Sequence, residues 1–368
     1  MALYSSVQPL SQRTDGTYVS NDTVDFLLDF AGREIDPASI RISGDLYITT
    51  DAGGIVPFDG TTAIYMDPKV GAHGIFQQYI TSLPDAGMVI ENFQNVPRYV
   101  GMLEAATQSK VSTGSTLEKV IELKTATPAQ SRVALGIQGL KTAVSFSIKP
   151  YCALTHASGN ISYSRTGTIK LTCLMSSVTQ LLWGADMTAN TSYYLKNLQL
   201  DYMSDVDTNQ PLTMLKVSSL KQTLSSSNQQ LSVILPISSS SLTMSFVRLD
   251  QENVLTNNYT QLSTVPDVTR VEFSFNDIVS GAFITYALEN KPEILYNALM
   301  SMDSMGKFDL TQSLIDTEKA FTPNYLIGTL FGDIALANAT KVGVNVQSSV
   351  QGATALACYL YFRGVMQL

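Results

Sequence analysis

The chain has 368 residues, of which 15% are charged and 45% are hydrophobic, and its formal net charge is −8. This length exceeds the usual limit of about 250–300 residues for a single hydrophobic core, which predicts two domains. The acidic balance and the lack of any Lys/Arg cluster argue against direct nucleic-acid binding, because such binding depends on cations that neutralise phosphates.

The first half of the chain reads as β-strands separated by turns, with one helix. Strands are predicted over residues 24–30, 40–50, 74–83, 88–92, 144–148, 169–173 and 193–205, and a further extended stretch over 131–135. Pro97 opens the helix, because proline is tolerated at a helix start, where its missing N–H would be unpaired anyway. In the last strand, Leu198, Leu200 and Tyr202 alternate with polar residues, which is typical of a half-buried strand.

The second half repeats this style. Strands are predicted over residues 212–224, 231–235, 242–246, 271–275, 283–288, 325–331, 342–346 and 357–363. The four serines at 238–241 are interpreted as a turn between two of these strands, and residues 307–321 as mostly irregular. Pro292 opens a second helix, in which Ala298 and Met302 share an apolar face.

The two halves follow one plan. In each, a short strand leads into a proline and a helix, and a strand closes the half. We therefore predict an internal duplication, with one domain over residues 1–206 and a second over 207–368. Many short strands with few helices favour an all-β fold, and about eight strands per half suit two jelly-roll β-sandwiches side by side, with a short helix in each.

No catalytic, cofactor-binding or metal-binding residues are predicted. The histidines, His73 and His156, stand far apart without a motif that would pair either with a nucleophile. The cysteines, Cys152, Cys173 and Cys358, lie in apolar strand patterns and are interpreted as buried small side chains.

The acidic residues leave one alternative open. Asp201, Asp205 and Asp207 are interpreted as a solvated strand end, since the spacing of a calcium-binding loop is absent. Two carboxylates from distant strands could still meet for glycoside hydrolysis, and nothing distinguishes the nominees Glu91, Glu104 and Glu272.

Composition also bears on assembly and location. Interfaces between permanently associated subunits are depleted in charge, so this chain favours tight packing against other subunits. Residues 1–6 lack a basic region followed by an apolar one, so no signal peptide is predicted. The sequence contains no run of about 18 apolar residues, so no transmembrane helix is predicted.

Short motifs along the whole chain point to one family. They are YLKNLQLDY at 194–202, SIRISGDLY at 39–47, GAHGIFQ at 71–77, VIEN at 89–92 with PRY at 97–99, and YLYFR at 359–363. The first resembles the strand that closes the first jelly roll in double jelly-roll capsid proteins of tailless icosahedral viruses, often membrane-containing and including the adenovirus-like lineage. The other four fit the same family.

This resemblance implies a structural, non-enzymatic virion protein. It implies the major capsid protein, synthesised in the host cytoplasm and assembling as pseudo-hexagonal homotrimers into an icosahedral shell. The partners would be neighbouring capsomers, with other capsid proteins and an underlying membrane as further candidates. The chain lacks the long outer loops that major capsid proteins often carry, so a minor or vertex capsid protein stays open. A receptor- or glycan-binding spike protein is a further alternative.

Overall fold

The structure, a computed structural model, describes residues 2–11, 15–50, 54–56, 62–67, 69–107, 120–124, 143–225, 228–234, 239–260, 268–275, 284–287, 297–298, 300–302, 327–330, 341–348 and 355–368. The strands of these residues form four sheets. Sheets 1 and 2 use strands of the first part of the chain, which we call the N-terminal unit. Sheets 3 and 4 use strands of the second part, the C-terminal unit.

Eleven strands are found among the described residues of the N-terminal unit. They are β1 (Leu3–Val7), β2 (Tyr18–Val19), β3 (Thr23–Leu28), β4 (Arg33–Ile35), β5 (Arg41–Thr49), β6 (Phe76–Leu83), β7 (Met88–Gln94), β8 (Val144–Ile148), β9 (Ile161–Ser162), β10 (Ile169–Met175) and β11 (Ser192–Val206). Sheet 1 has the order β8-β5-β11-β4-β9, and β1 and β2 also pair with β11. Sheet 2 has the order β3-β10-β6-β7.

The C-terminal unit contributes eight strands among the described residues. They are β12 (Thr213–Leu224), β13 (Asn228–Ile234), β14 (Ser239–Arg248), β15 (Val268–Phe275), β16 (Ile284–Ala287), β17 (Ile327–Leu330), β18 (Lys341–Ser348) and β19 (Leu356–Gln367). Sheet 3 has the order β12-β19-β14-β17, and sheet 4 has the order β13-β18-β15-β16.

The two units share one strand order. If the short strands β2, β4 and β9 are set aside, each unit has eight strands in the part of the chain that the structure describes. The first, eighth, third and sixth of these form one sheet. The second, seventh, fourth and fifth form the other sheet. Eight antiparallel strands in two sheets of this kind make a jelly roll. The predicted all-β fold, two jelly-roll sandwiches side by side, is confirmed.

Alternating side chains explain why most of these segments are strands. In β5, apolar side chains such as Ile42, Leu46 and Ile48 are buried while the residues between them are partly exposed. In β11, Leu198, Leu200 and Tyr202 are buried, as predicted. Burying one face of each sheet between the two sheets of a unit supplies the main stabilisation, at roughly 25 cal/mol per Å² of apolar surface.

The helices agree with the prediction in part. Helix α1 (Val96–Thr107) has Pro97 as its second residue. Residues 297–298 and 300–302 are helical, with Ala298 and Met302 buried. Two four-residue helices, α2 (Tyr163–Thr166) and α3 (Val178–Leu181), were not predicted.

The interpretation of residues 238–241 as a serine turn is wrong. Ser239 to Ser241 begin β14, and both Ser239 and Ser241 are buried. Their face of sheet 3 packs against the second helical segment, where Ser241 Oγ donates to the Ser301 carbonyl (2.8 Å). Small hydroxyl side chains let this helix approach closely. The predicted segments 131–135 and 307–321 lie outside the described residues.

Candidate functional site: the buried junction between the two units

The junction between the two units is formed by the last strand of the C-terminal unit. From Leu356 to Phe362 every side chain of β19 is buried. Cys358, Leu360 and Phe362 face the core of the C-terminal unit, whereas Tyr359 and Tyr361 belong to the hydrophobic cluster of the N-terminal unit. A nearly continuous apolar run is typical of a strand that is covered on both faces.

Aromatic side chains fill the space between the units. The Tyr361 ring lies 5.0 Å from that of Tyr99 on α1 and 6.2 Å from that of Phe93 on β7. Phe93 and Tyr99 also make an edge contact at 5.3 Å. Such aromatic pairs add about 0.5–1.5 kcal/mol each beyond the apolar area they bury. The junction is therefore packed like a protein core.

A buried arginine holds α1 against the C-terminal unit. The Arg98 side chain is 1% exposed, and its guanidinium lies 4.7 Å from the Tyr259 ring centre and 4.5 Å from that of Tyr359. Its Nη2 donates to the Tyr259 carbonyl at 2.6 Å. A cation between two tyrosine faces in a desolvated site is worth about 2 kcal/mol or more.

A buried carboxyl group joins the edges of two sheets. Glu91 of β7 is 2% exposed; its Oε1 accepts from the Val217 N–H of β12 (2.8 Å) and its Oε2 from the Ala153 N–H (2.7 Å). Burial raises the pKa of Glu91 to about 8, against the lowering effect of these two N–H groups and of Lys216. Glu91 thus accepts hydrogen bonds from the backbone of two segments, β12 and the residues around Ala153. Neither of them pairs with β7 in a strand ladder.

Further polar contacts extend along the same edges. Ser219 Oγ of β12 donates to the Gln94 carbonyl and accepts from the Gln94 N–H, both at 2.7 Å. The Ser158 N–H donates to the Thr213 carbonyl at 2.8 Å. The outer edge of β12 is therefore covered by the N-terminal unit, which removes an open strand edge.

The segment after β14 also reaches the N-terminal unit. Asp67 is buried, and its Oδ2 accepts from Thr260 Oγ1 (2.5 Å) and Asn258 Nδ2 (2.9 Å). On the same segment, the Leu255 carbonyl accepts from the Gly184 N–H at 2.9 Å. These bonds fix the relative position of the units at a second place.

The two histidines lie in one cluster, which sequence reasoning missed. The Tyr151 ring contacts both histidines. Its centre lies 4.9 Å from that of the His73 ring, and the His156 ring stacks on it with the centres 5.8 Å apart. His73 Nε2 pairs with Glu122 Oε2 at 3.3 Å. Burial alone would raise the pKa of Glu122, but His73 and Lys124 lower it to about 2.

The histidine cluster has a structural explanation. The segment 120–124 passes so close to Gly71 that a Cβ there would lie 2.3 Å from the Glu122 carbonyl oxygen. Gly71 also has φ of +55°, a conformation that favours glycine. His156 Nδ1 contacts the Cys152 carbonyl at 2.9 Å, and burial lowers its pKa. The contact between His73 Nε2 and Glu122 Oε2 thus anchors the segment 120–124.

Of the carboxylates named from the sequence, Glu91 and Glu272 do not meet. Glu91 is buried in the junction, whereas Glu272 lies on β15, where it pairs with Arg270 and accepts from Asn345. The side chain of Glu104 lies outside the description. Asp201 is buried rather than solvated and accepts from Ser43 (3.1 Å).

The other two carboxylates at this strand end have local partners. Asp205 is exposed and accepts from the Val206 N–H at 2.8 Å. Asp207 accepts from Ser164 Oγ at 2.7 Å, and hydrogen bonds of this kind hold its pKa at about 2 against the effect of desolvation.

Among the described residues, no three His, Cys, Asp or Glu side chains are grouped to hold a metal ion. No helix in this part of the chain is long and apolar enough to span a bilayer. Cys152, Cys173 and Cys358 are buried as free thiols, and burial raises the pKa of each.

In sequence, the chain matches no protein-family model and is not significantly similar to any curated protein. In structure, it is similar to PBCV-1 VP54 as fitted into a reconstruction of the virophage Sputnik, with a TM-score of 0.57 and 10% identity over 100% of this chain and 95% of that one.

Two further structures give similar values. The PBCV-1 capsid model has a TM-score of 0.55 and 10% identity over 100% of this chain and 94% of that one. The Faustovirus major capsid protein has a TM-score of 0.55 and 8% identity over 100% of this chain and 90% of that one. The chain has the double jelly-roll fold of these capsid proteins, and the resemblance inferred from its motifs is confirmed.

Proposed function

We propose that this protein is a structural capsid protein, the major capsid protein of a tailless icosahedral virus. The observation that carries the proposal is the pair of eight-strand units with one strand order, matched over the whole chain by the Faustovirus major capsid protein and the PBCV-1 capsid. Its role is mechanical and not catalytic. The buried junction supports this role because it lets the chain act as one rigid block.

Three copies would form a homotrimeric capsomer. Three chains with two similar units each give six units around the threefold axis, so the capsomer has a pseudo-hexagonal outline. The units would be domains over residues 1–206 and 207–368, and neighbouring capsomers would be the main partners. Other capsid proteins and an underlying membrane are further partners of this proposal, and no direct nucleic-acid binding is expected. The protein would be made in the host cytoplasm and reside in the virion.

The test is the assembly state of the purified full chain. Light scattering after size-exclusion chromatography gives its mass, and negative-stain electron microscopy gives the particle shape. We expect three chain masses and hexagonal outlines or closed shells. A protein that stays monomeric at tens of micromolar and binds glycans on an array would overturn the proposal in favour of a receptor-binding protein.

A further inference from the structure

The buried arginine of the junction has hydrogen-bond donors without acceptors. Arg98 on α1 is almost fully buried, and its Nη2 donates to the Tyr259 carbonyl at 2.6 Å. Its Nε and Nη1 meet no acceptor among the described residues. Burying a polar group without a partner is costly, and the cost is larger when the group is charged. One hydrogen bond to a neutral carbonyl therefore leaves most of the Arg98 guanidinium uncompensated.

The carboxylates near Tyr259 are engaged elsewhere. Both oxygens of Glu252 accept from Lys221 Nζ, at 2.8 and 2.7 Å, and Asp67 accepts from two side chains of the segment after β14. None of the ion pairs formed by the described residues includes Arg98. An arginine also keeps its proton when it is buried, unlike a lysine, so it cannot become neutral. A counter-ion is the remaining way to balance this charge.

A second unpartnered donor lies on the same face of sheet 3. Ser245 of β14 is 1% exposed, and its Oγ has no hydrogen-bond partner in the described part of the chain. In the ladder of β14 with β19, Ser245 is directly opposite Tyr359, and side chains in such positions share one face of a sheet. The Tyr359 ring is one of the two that cover the Arg98 guanidinium. A charged and a neutral donor, both buried, thus lie next to the same tyrosine.

We propose that the junction binds a small inorganic anion of the size of chloride, held by Arg98 and Ser245 Oγ. The two faces of the guanidinium are covered by Tyr259 and Tyr359, so the anion approaches its edge, where Nε and Nη1 donate. A water molecule accepts the same hydrogen bonds but leaves the charge unbalanced, whereas an anion provides both. Because α1 belongs to the N-terminal unit and β14 to the C-terminal unit, the bound anion fastens the two units together. The site lies within one chain and is independent of assembly.

The first experiment measures thermal unfolding of the full chain in sodium chloride and in sodium gluconate at equal ionic strength. Gluconate is the control, because it is too large to enter a packed junction. Chloride should raise the unfolding midpoint until the site is saturated, since a ligand that binds only the folded state stabilises it. The rise should be about 2 °C once chloride exceeds its dissociation constant several-fold. Equal midpoints in the two salts would overturn the proposal.

Matched variants locate the site. Arg98→Met removes the cation and keeps an unbranched side chain, and it should abolish the dependence on chloride. Arg165→Met is the control and should keep that dependence, because Arg165 is exposed on α2. If Arg98→Met does not fold, Ser245→Ala replaces it and should raise the dissociation constant of chloride about tenfold, as expected for one hydrogen bond to a charged group. Wild-type chloride dependence in the variant that is used would overturn the proposal.

The second experiment detects the anion directly. Bromide takes the place of chloride in such sites and scatters X-rays anomalously, so crystals of the wild type are grown in sodium bromide. We expect an anomalous peak in contact with Arg98 Nε or Nη1 and with Ser245 Oγ. Ordered water at this position, or bromide at exposed positions only, would show that these donors are satisfied without an anion and would overturn the proposal.

Discussion

Strands β11 and β19 hold equivalent positions, but their outer faces differ. The outer face of β19 carries Tyr359 and Tyr361, which are buried against the N-terminal unit. The outer face of β11 carries Gln199 and Met203, which are partly or fully exposed. One sequence plan has thus been adapted to two environments: a permanent contact within the chain, which can be apolar, and a face that is partly exposed in the single chain.

The largest change in stability is expected when the contact between β19 and the N-terminal unit is broken. Tyr359→Ala removes a buried ring that contacts Arg98, and should lower the free energy of unfolding by about 3–5 kcal/mol, as for other large-to-small aromatic changes. Gln199→Ala, at an equivalent outward position of β11, should change it by less than about 0.5 kcal/mol. Urea unfolding measures both. Similar effects for the two variants would contradict the difference between the strands.

The pH dependence of the junction comes next. Because the folded pKa of Glu91 is about 8 and its ordinary value is 4.5, folding binds a proton between these values. The resulting stabilisation is full below about pH 4.5 and is lost as the pH rises through 8. The titratable groups near it are Lys216, Cys152, Tyr79 and Tyr99.

Melting temperatures measured from pH 5 to 9 test this prediction. The wild type should lose stability over the range, by a few kcal/mol when each pKa unit is worth about 1.4 kcal/mol. Glu91→Gln, which keeps a carbonyl acceptor, should flatten the curve. Glu272→Gln is the control and should leave the slope unchanged. An unchanged slope in Glu91→Gln would exclude Glu91 as its source.

A smaller effect is expected for the buried cation. Arg98→Lys keeps the charge but loses the planar group between Tyr259 and Tyr359, and should cost about 2 kcal/mol. Arg165→Lys is the matched control, since Arg165 is exposed on α2 and donates to Asn209. Its cost should be below about 0.5 kcal/mol. Equal costs in urea unfolding would mean that burial adds nothing to the Arg98 contact.

The smallest change in stability is expected for Lys196, a cation that lies near two tyrosine rings on the partly exposed face of β11. On the outer face of β11, the Lys196 Nζ lies 5.8 Å from the Tyr47 ring and 5.7 Å from the Tyr194 ring, and these rings stack at 4.7 Å. Lys196→Ala should cost only about 0.5–1 kcal/mol, because water competes for a partly exposed cation. A cost equal to that of Arg98→Lys would remove the distinction between the buried and the open face.

Local patterns allowed much of the fold to be predicted. The alternation around Leu200 and the proline in the first turn of α1 are signals within a few residues, and both gave the right element. The serines of β14 misled because serine is common in turns, and only the helix packed over them explains their burial. The short strands β2, β4 and β9 each have two or three residues, too few to show a period.

The junction could not be predicted from such patterns. Arg98 reads as an ordinary helix residue until Tyr259 and Tyr359, far along the chain, are brought to its two faces. His73 and His156 looked unrelated because only the fold places Tyr151 between them. The one signal of the junction in the sequence was the nearly continuous apolar run of β19, which is typical of a strand with both faces buried.

The pairing of β12 with β19 has a consequence for how the chain folds. The ladder joins Thr213 to Gln367 and Leu224 to Leu356, so its partners are separated by more than a hundred residues. Contacts between segments so distant in sequence form slowly, because the entropy of closing the long intervening loop is lost before the contacts begin to stabilise the chain. The hydrophobic centre of the C-terminal unit therefore stays open on the ribosome until β19 has emerged, while sheets 1 and 2 are already complete. Pulsed hydrogen exchange on ribosome-bound chains stalled before β19 is made should show the amides of β5 and β11 already protected and those of β12 still exchanging.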